Sequence, residues 1–225
     1  MGRLILILAL ISSQTMAQKI TLTEPVRFLA LGDSYTIGEG VSARYRWPTQ
    51  FVDSMQHRGI DCLEPRIIAA TGWRTDNLKN AIRKSKFKEQ YNLVSLLIGV
   101  NNFYQQKPLE AYKVEFGELV LTAIRLAGGE PSLVFVLSIP DYGYTPFGKD
   151  KLETITRGID EYNAANKAIA DKLGVAYYSI TDISRRGLDE PDLVTTDGLH
   201  PSGKMYSAWV QRILDNMLGP APGEY

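Results

Sequence analysis

The feature that most constrains the fold is an alternation of short apolar runs with longer segments of helical periodicity. Five apolar runs of strand length cover residues 26–31, 66–70, 92–98, 132–139 and 175–179. Segments with apolar residues every three or four positions, as in amphipathic helices, cover residues 47–57, 76–85, 109–127, 152–173 and 202–218. Apolar strands that alternate with helices are typical of a parallel sheet covered on both faces. We therefore expect a single α/β domain: a three-layer α/β/α structure around a five-stranded parallel sheet.

The first 17 residues have the pattern of an export signal. Arg3 precedes an apolar run over residues 4–11 that is too short to span a bilayer. Small residues then lead to Ala17, where we expect cleavage. The alternative is an uncleaved N-terminal anchor. Cleavage would give an exported protein, periplasmic or extracellular, with no stable membrane insertion. Its single domain would cover residues 18–225, with a frayed tail at about 219–225.

Composition excludes several classes of protein and of site. Lys+Arg and Asp+Glu number 25 each, so no basic excess favours nucleic acid as a partner. The single cysteine, Cys62, rules out a disulfide framework within the chain, and we expect it to pack as a small hydrophobic residue. The two histidines, His57 and His200, exclude a multi-histidine metal site. We expect no metal and no cofactor, and we expect His57 at the surface of a helix.

A candidate nucleophile directly follows the first predicted strand. In a parallel α/β fold the chemistry lies at the carboxyl ends of the strands. Ser34 stands there within Gly32-Asp33-Ser34, and a serine hydroxyl exposed at a strand tip becomes a nucleophile when a base is near. Gly32 is expected to let the chain turn tightly out of the strand, and Asp33 to bond nearby backbone. Taken alone, the tripeptide is also typical of an ordinary turn.

Two candidate hydrogen-bond donors follow the next two strands. Gly72 comes after the second strand and can bring its backbone N–H close to a ligand. Asn101 comes after the third strand, and its side-chain amide can donate to a developing oxyanion. Each residue alone is equally typical of a loop.

A candidate base lies close to the last helix. Asp197 and His200 are three residues apart and are expected to open that helix, with Pro201 in its first turn. The carboxylate can accept from one imidazole nitrogen and leave the other as a general base. A purely structural histidine is the alternative. Together, however, a nucleophile, two donors and an oriented base are the set that acyl transfer requires.

The motifs resemble, in order and spacing, those of the SGNH hydrolases, also called GDSL-type esterases and lipases. Gly32-Asp33-Ser34 matches the first motif, Gly72 the second, Asn101 the third, and Asp197-x-x-His200 the fifth. The resemblance implies a flavodoxin-like fold and metal-free ester hydrolysis. It also implies a catalytic triad of Ser34, Asp197 and His200, with an oxyanion hole from Ser34, Gly72 and Asn101. Asn102 departs from the acid that usually ends the third motif, although it can still accept a backbone hydrogen bond.

The sequence says less about the substrate than about the type of reaction. Aromatic residues near the strand ends are candidate substrate-binding residues: Tyr35, Trp73, Phe103, Tyr142 and Tyr144, with Phe147 beside them in a candidate lid or wall at 141–148. Ordinary packing of loops on the core is the alternative. The hypothesis is a secreted, lysophospholipase-like serine esterase acting on a small-molecule, glycan or lipid ester. A carbohydrate O-acetyl esterase and a non-catalytic binding protein are the alternatives.

Overall fold

The computed structural model describes residues 22–87 and 90–220; the predicted export signal and the end of the tail lie outside them. The strands are β1 Phe28–Gly32, β2 Arg66–Ala69, β3 Leu93–Leu97, β4 Val134–Leu137 and β5 Ala176–Tyr178. They form one five-stranded parallel sheet in the order β2-β1-β3-β4-β5. The expected α/β fold with a parallel sheet is confirmed.

Eight α-helices occur in the described residues. They are α1 Ser34–Ile37, α2 Trp47–His57, α3 Thr75–Lys84, α4 Val100–Tyr104, α5 Leu109–Leu126, α6 Leu152–Lys172, α7 Thr181–Ser184 and α8 Gly203–Leu218. The five long helices start and end within about one residue of the predicted positions. The short helices α1, α4 and α7 were not predicted, because four or five residues are too few to show a helical period.

The start of the last helix differs from the prediction. Ser202 is the N-cap residue of α8, and its hydroxyl accepts a hydrogen bond from the N–H of Met205 at 3.3 Å. Pro201 instead forms an isolated bridge with Val194. The expectation that the segment from Asp197 to Pro201 opens the helix is therefore wrong, since this segment is a turn that precedes it.

Two groups of helices cover the sheet. α2 packs against α8, whereas α3 and α6 pack against α5. In the first group, the Phe51 ring lies 5.1 Å from that of Phe28 and 5.8 Å from that of Phe135, which joins α2 to β1 and β4. In the second, Tyr112 and Tyr162 join α5 to α6 with ring centroids 4.5 Å apart. These clusters bury residues on both faces of the sheet.

The order of the strands locates a crevice. β1 and β3 are neighbours in the sheet, but the chain leaves β1 toward β2 on one side and continues from β3 toward β4 on the other. Such a reversal opens a crevice at the carboxyl ends of the two central strands, where open α/β sheets bind ligands. The segments that follow Gly32 and Leu97 border this crevice.

Two further expectations concern residues away from the crevice. Cys62 is buried, as expected of a small hydrophobic residue. His57 is exposed on α2, and its Nδ1 lies 2.6 Å from the carbonyl oxygen of Asp53.

Across residues 22–87 and 90–220, no helix combines the length and the apolar character needed to cross a bilayer.

Candidate active site

Ser34 is the first residue of α1, directly beyond β1. Asp33 is the N-cap: its Oδ1 accepts from the N–H of Tyr35 at 3.1 Å, and its carbonyl accepts from Thr36 and Ile37. This is the backbone-bonding role expected of Asp33. Ser34 is 5% exposed. The cap therefore fixes the serine at the tip of a central strand.

Gly32 is needed at the end of β1 for packing. A Cβ at this position would lie 2.1 Å from Thr36 Oγ1 and 2.6 Å from the carbonyl oxygen of Leu97. Gly32 does not have the positive φ that would require a glycine for the turn, so packing rather than freedom to turn is the reason for a glycine here. The glycine allows α1 and β3 to approach β1 closely, and this approach places Ser34 at the crevice.

Asp197 and His200 form a hydrogen-bonded pair. His200 Nδ1 lies 2.7 Å from Asp197 Oδ2. The other carboxylate oxygen accepts from Thr195 Oγ1 at 2.7 Å and from the backbone N–H of Leu199 and His200. Burial opposes ionisation of Asp197, but these hydrogen bonds outweigh it and hold its pKa well below the usual range. A carboxylate bound at Nδ1 leaves Nε2 available as a base.

Two contacts place this pair on the same side of the molecule as the serine. The ring of Tyr35, next to Ser34, lies 6.0 Å from the His200 imidazole. A Cβ at Gly40 would lie 2.9 Å from Thr195 Oγ1, so the loop after α1 packs on the segment that carries Asp197.

In the part of the chain that the structure describes, no hydrogen bond joins the Ser34 hydroxyl to the imidazole. Bonds of this kind often tighten only when substrate binds.

The two candidate oxyanion donors lie in neighbouring segments. Gly72 occupies an exposed turn after β2 with a φ of 78°, a left-handed conformation that favours glycine. Asn101 lies in α4, and its Nδ2 donates to the carbonyl of Trp73 at 3.0 Å. This bond uses one amide N–H of Asn101 and leaves the second for another acceptor. It also ties the segment after β3 to the segment after β2.

Asn102 also links the segment after β3 to the segment after β2 through hydrogen bonds. Its Oδ1 accepts from the backbone N–H of Thr75 at 3.1 Å, and its Nδ2 donates to Thr75 Oγ1 at 2.7 Å. The asparagine thus accepts the expected backbone hydrogen bond. It is 2% exposed. The loop geometry is therefore held without the acid that usually ends this motif.

The five predicted substrate-binding aromatics differ in exposure. Tyr35 and Tyr142 are 3% and 7% exposed, and Trp73, Phe103 and Tyr144 are half-buried. The Tyr35 ring packs between His200 and Trp209, so it supports the imidazole. A more exposed aromatic was missed: Tyr104, at 56%, three residues after Asn101 at the end of α4. Its position close to the third motif in the sequence could have identified Tyr104 as a candidate.

Contacts hold the segment 141–148, the candidate lid or wall, at both of its ends. The Asp141 carboxylate is fully buried and forms an ion pair with Arg185 Nε at 3.0 Å. At the other end, the N–H of Phe147 donates to the carbonyl of Gly198 at 2.9 Å. Both ends are therefore anchored, one of them to the turn that carries His200.

No metal centre is found among the described residues, since none of their His, Cys, Asp and Glu side chains form a group of three or more suited to a metal ion.

A second titratable group, the Asp33 carboxyl, lies beneath the serine. It is 1% exposed, and its Oδ2 has no hydrogen-bond partner among the described residues. Burial raises the pKa of Asp33 to about 7, because the backbone hydrogen bonds it accepts offset only part of the lost hydration.

This pKa predicts a pH dependence of stability. An unfolded aspartate has a pKa of about 3.9, so between about pH 4 and pH 7 the folded state binds more protons than the unfolded state. Stability should therefore fall as pH rises through this window and level off above it. The difference in pKa corresponds to at most about 4 kcal/mol. Urea denaturation at pH 4 to 8 should show a flatter profile for Asp33→Asn than for the wild type, and equal slopes would contradict the prediction.

A five-stranded parallel sheet in this order, with helices on its faces, is the α/β fold that the SGNH hydrolases share. The chain belongs to the GDSL-like lipase/acylhydrolase family, whose model matches residues 30–208.

Several solved structures have a similar fold. TesA superposes with a TM-score of 0.69 at 14% identity, over 85% of this chain and 98% of that one. Axe2, an acetylxylan esterase from Geobacillus stearothermophilus, gives 0.67 at 19%, over 89% and 96%. A lipolytic G-D-S-L family protein from Veillonella parvula gives 0.65 at 15%, over 84% and 97%. No curated protein sequence matches the chain. At these identities the structural likeness establishes the fold.

Proposed function

We propose that the protein is a serine hydrolase that cleaves carboxylic esters through an acyl-enzyme. The observation that carries this proposal is the hydrogen-bonded Asp197–His200 pair on the same side of the molecule as Ser34. Family membership supports ester hydrolysis. An intact nucleophile, base and orienting acid argue against the alternative of a non-catalytic binding protein on the same fold.

The proposed cycle assigns one role to each member of the triad. His200 Nε2 takes the proton of Ser34 Oγ as the oxygen attacks the ester carbonyl carbon. Asp197 holds the imidazole tautomer and stabilises its charged form. The imidazolium then protonates the leaving alcohol. Water, activated by the same histidine, attacks the acyl-enzyme, releases the acid and restores the serine.

The proposed oxyanion hole uses the backbone N–H groups of Ser34 and Gly72 and the side-chain amide of Asn101. Asn101→Ala should lower kcat by about 10²–10³-fold with a small change in KM, because the lost hydrogen bond acts on charge that develops in the transition state. Steady-state kinetics on a short-chain ester provide the measurement. A variant with the wild-type kcat would remove Asn101 from the oxyanion hole.

Export is proposed on the sequence pattern alone. The mature protein would then act outside the cytosol after cleavage at Ala17. Amino-terminal sequencing of the protein recovered from the periplasm or the medium tests this, and a chain that retains residues 1–17 would contradict it.

A carbohydrate O-acetyl esterase is the second candidate. It is favoured by the open rim of the crevice, where Tyr104 is 56% exposed. A neighbour of similar fold, Axe2, is an acetylxylan esterase. Acetate release from acetylated xylan, compared with hydrolysis of long-chain acyl esters, separates the two candidates.

A further inference from the structure

Three aromatic rings form a triangular surface beside the candidate active site. Tyr104, Tyr142 and Phe147, which we call the aromatic platform, have mutual ring-centroid distances of 6.2 to 6.3 Å. Tyr104 and Phe147 are 56% and 53% exposed, which is high for large apolar side chains. Tyr142 is 7% exposed and forms the floor between them.

Two of the three platform residues are anchored by the fold, Tyr142 from below by Phe103 and Phe147 through its backbone N–H. The ring of Tyr142 lies 6.4 Å from that of Phe103, which fills a space beside α6 that only a glycine leaves. A Cβ at Gly158 would lie 2.0 Å from the Phe103 ring. An exposed apolar surface that is held in place by the fold, rather than by chain flexibility, is suited to binding.

The anchoring of Phe147 places the platform on the side of the leaving alcohol. Its N–H is bonded to the carbonyl of Gly198, in the turn that also carries His200. In the proposed cycle His200 protonates the departing alcohol, so the alcohol part of the ester lies toward this turn. Tyr104 extends the same surface from α4, close to Asn101.

The chemistry of the platform favours a sugar over an acyl chain. An acyl chain must be enclosed on several sides to leave water, and two of the three rings are more than half exposed. A pyranose ring needs only one apolar partner, because its axial C–H groups present a weakly positive face to the negative π-face of an aromatic ring. The platform carries no formal charge, which suits a neutral alcohol.

We propose that the aromatic platform binds a sugar ring that forms the alcohol part of the ester substrate. This inference rests on the proposed esterase function and names its substrate class: O-acylated glycans. It assigns specificity to Tyr104 and Phe147, which contact the leaving group and not the reacting carbonyl.

The test compares esters that share an acyl group and differ in the alcohol. Tyr104→Ala, Phe147→Ala and Phe147→Leu are assayed on a set of mono-O-acetylated pyranosides and acetylated xylooligosaccharides, and on ethyl acetate. The platform variants should lose about tenfold in kcat/KM on the sugar esters, mainly through KM, and stay within about twofold on ethyl acetate. Phe147→Leu should resemble Phe147→Ala, because leucine keeps the bulk but lacks the π-face. Tyr45→Ala, at a 46% exposed tyrosine outside the platform, is the matched control and should leave both activities unchanged.

The outcomes separate this inference from the function on which it rests. If the wild type prefers no sugar ester to ethyl acetate, or if the platform variants keep full activity on sugar esters, the sugar platform is wrong. If the variants instead lose activity on ethyl octanoate, the surface is an acyl subsite, and the inference is also wrong. Failure of the wild type both to hydrolyse ethyl acetate and to react with a serine-directed phosphonate would overturn the esterase proposal itself.

A different set of contacts carries a second inference, about Asn102. The backbone N–H of Thr75 can only donate, so the oxygen of the Asn102 amide must face it, and the NH₂ group must face the Thr75 hydroxyl. The hydroxyl accepts from this NH₂ and donates its own proton to the Glu115 carboxylate. Hydrogen bonds therefore run in one direction, from Asn102 through Thr75 to Glu115.

We infer that this chain of hydrogen bonds positions Asn101, the adjacent residue of α4. Asn101 and Asn102 together hold the segment from Trp73 to Thr75 through three hydrogen bonds. A shift of Asn102 would therefore move the amide that the proposed function places in the oxyanion hole. Asn102 is a positioning residue in this account and does not contact the substrate.

Because these hydrogen bonds run in one direction, a test can reverse them by exchanging the groups at their two ends. In Asn102→Asp, carboxylates flank the Thr75 hydroxyl on both sides, and its one proton satisfies only one of them. This variant should lose about tenfold in kcat with little change in KM. Glu115→Gln alone should be close to the wild type, because a glutamine can turn its oxygen toward the hydroxyl.

The double variant Asn102→Asp with Glu115→Gln should recover kcat. The introduced glutamine would then donate to the Thr75 hydroxyl, and the hydroxyl would donate to the introduced carboxylate, so that the chain runs in reverse with every group satisfied. In an Asn101→Ala background, Asn102→Asp should lower kcat no further, because the group it positions is gone. Recovery of the urea midpoint without recovery of kcat would reduce Asn102 to a structural role and overturn the inference. Phosphonate labelling of Ser34 tests the esterase proposal independently.

Discussion

Ser34→Ala should lower kcat by about 10⁶-fold, to the limit of detection, because no acyl-enzyme can form without the hydroxyl. His200→Ala should have a comparable effect, and the double variant should be no slower than either single variant, since the two residues act in one step. Steady-state kinetics on ethyl acetate and a short-chain chromogenic ester measure all three.

The control for this prediction is the stability of the folded Ser34→Ala variant. Ser34 is a small residue at the start of α1, whose cap is supplied by Asp33. The urea midpoint of Ser34→Ala should therefore stay close to that of the wild type. A stable Ser34→Ala protein that keeps more than about one hundredth of the wild-type kcat would show that another group is the nucleophile.

Asp197→Asn should lower kcat by about 10⁴-fold. The variant keeps an oxygen for Thr195 and for the two backbone N–H groups that now bond Oδ1, so the turn should remain folded. Its NH₂ group, however, would donate to Nδ1 of His200. The imidazole would then carry its proton on Nε2, where it cannot accept the proton of Ser34.

Kinetics and stability together measure the Asp197 prediction. The kcat of Asp197→Asn should fall while its urea midpoint changes little. A parallel fall in the urea midpoint and in kcat would show that Asp197 is a structural residue of the turn. It would contradict the role of Asp197 in orienting His200.

The strands and long helices could be predicted because their pattern is local. The apolar run 66–70 is closed by Thr71-Gly72, and the amphipathic segment 47–57 is long enough to show a helical period. β2 and α2 lie where these patterns placed them. The candidate triad could be proposed for a similar reason. A serine after the first strand and an Asp–His pair before the last helix are positions that a parallel sheet brings to one edge.

Other features depend on residues that are distant in the sequence, and no local pattern reports them. Thr75 and Asn102 are 27 residues apart, and Thr75 and Glu115 are 40 apart, yet they form one chain of hydrogen bonds. The need for Gly32 arises from the carbonyl of Leu97 on a neighbouring strand. The grouping of Tyr104 with Tyr142 and Phe147 is visible only once the three rings are placed beside one another.

Reaction of the folded protein with a serine-directed phosphonate, followed by peptide mass spectrometry, tests the central claim most directly. The wild type should carry one adduct, on the peptide that contains Ser34. Ser34→Ala should carry none, and His200→Ala should react far more slowly because the hydroxyl loses its base. A folded wild type that forms no adduct, or that forms it on a different serine, would contradict the assignment of Ser34 as an activated nucleophile.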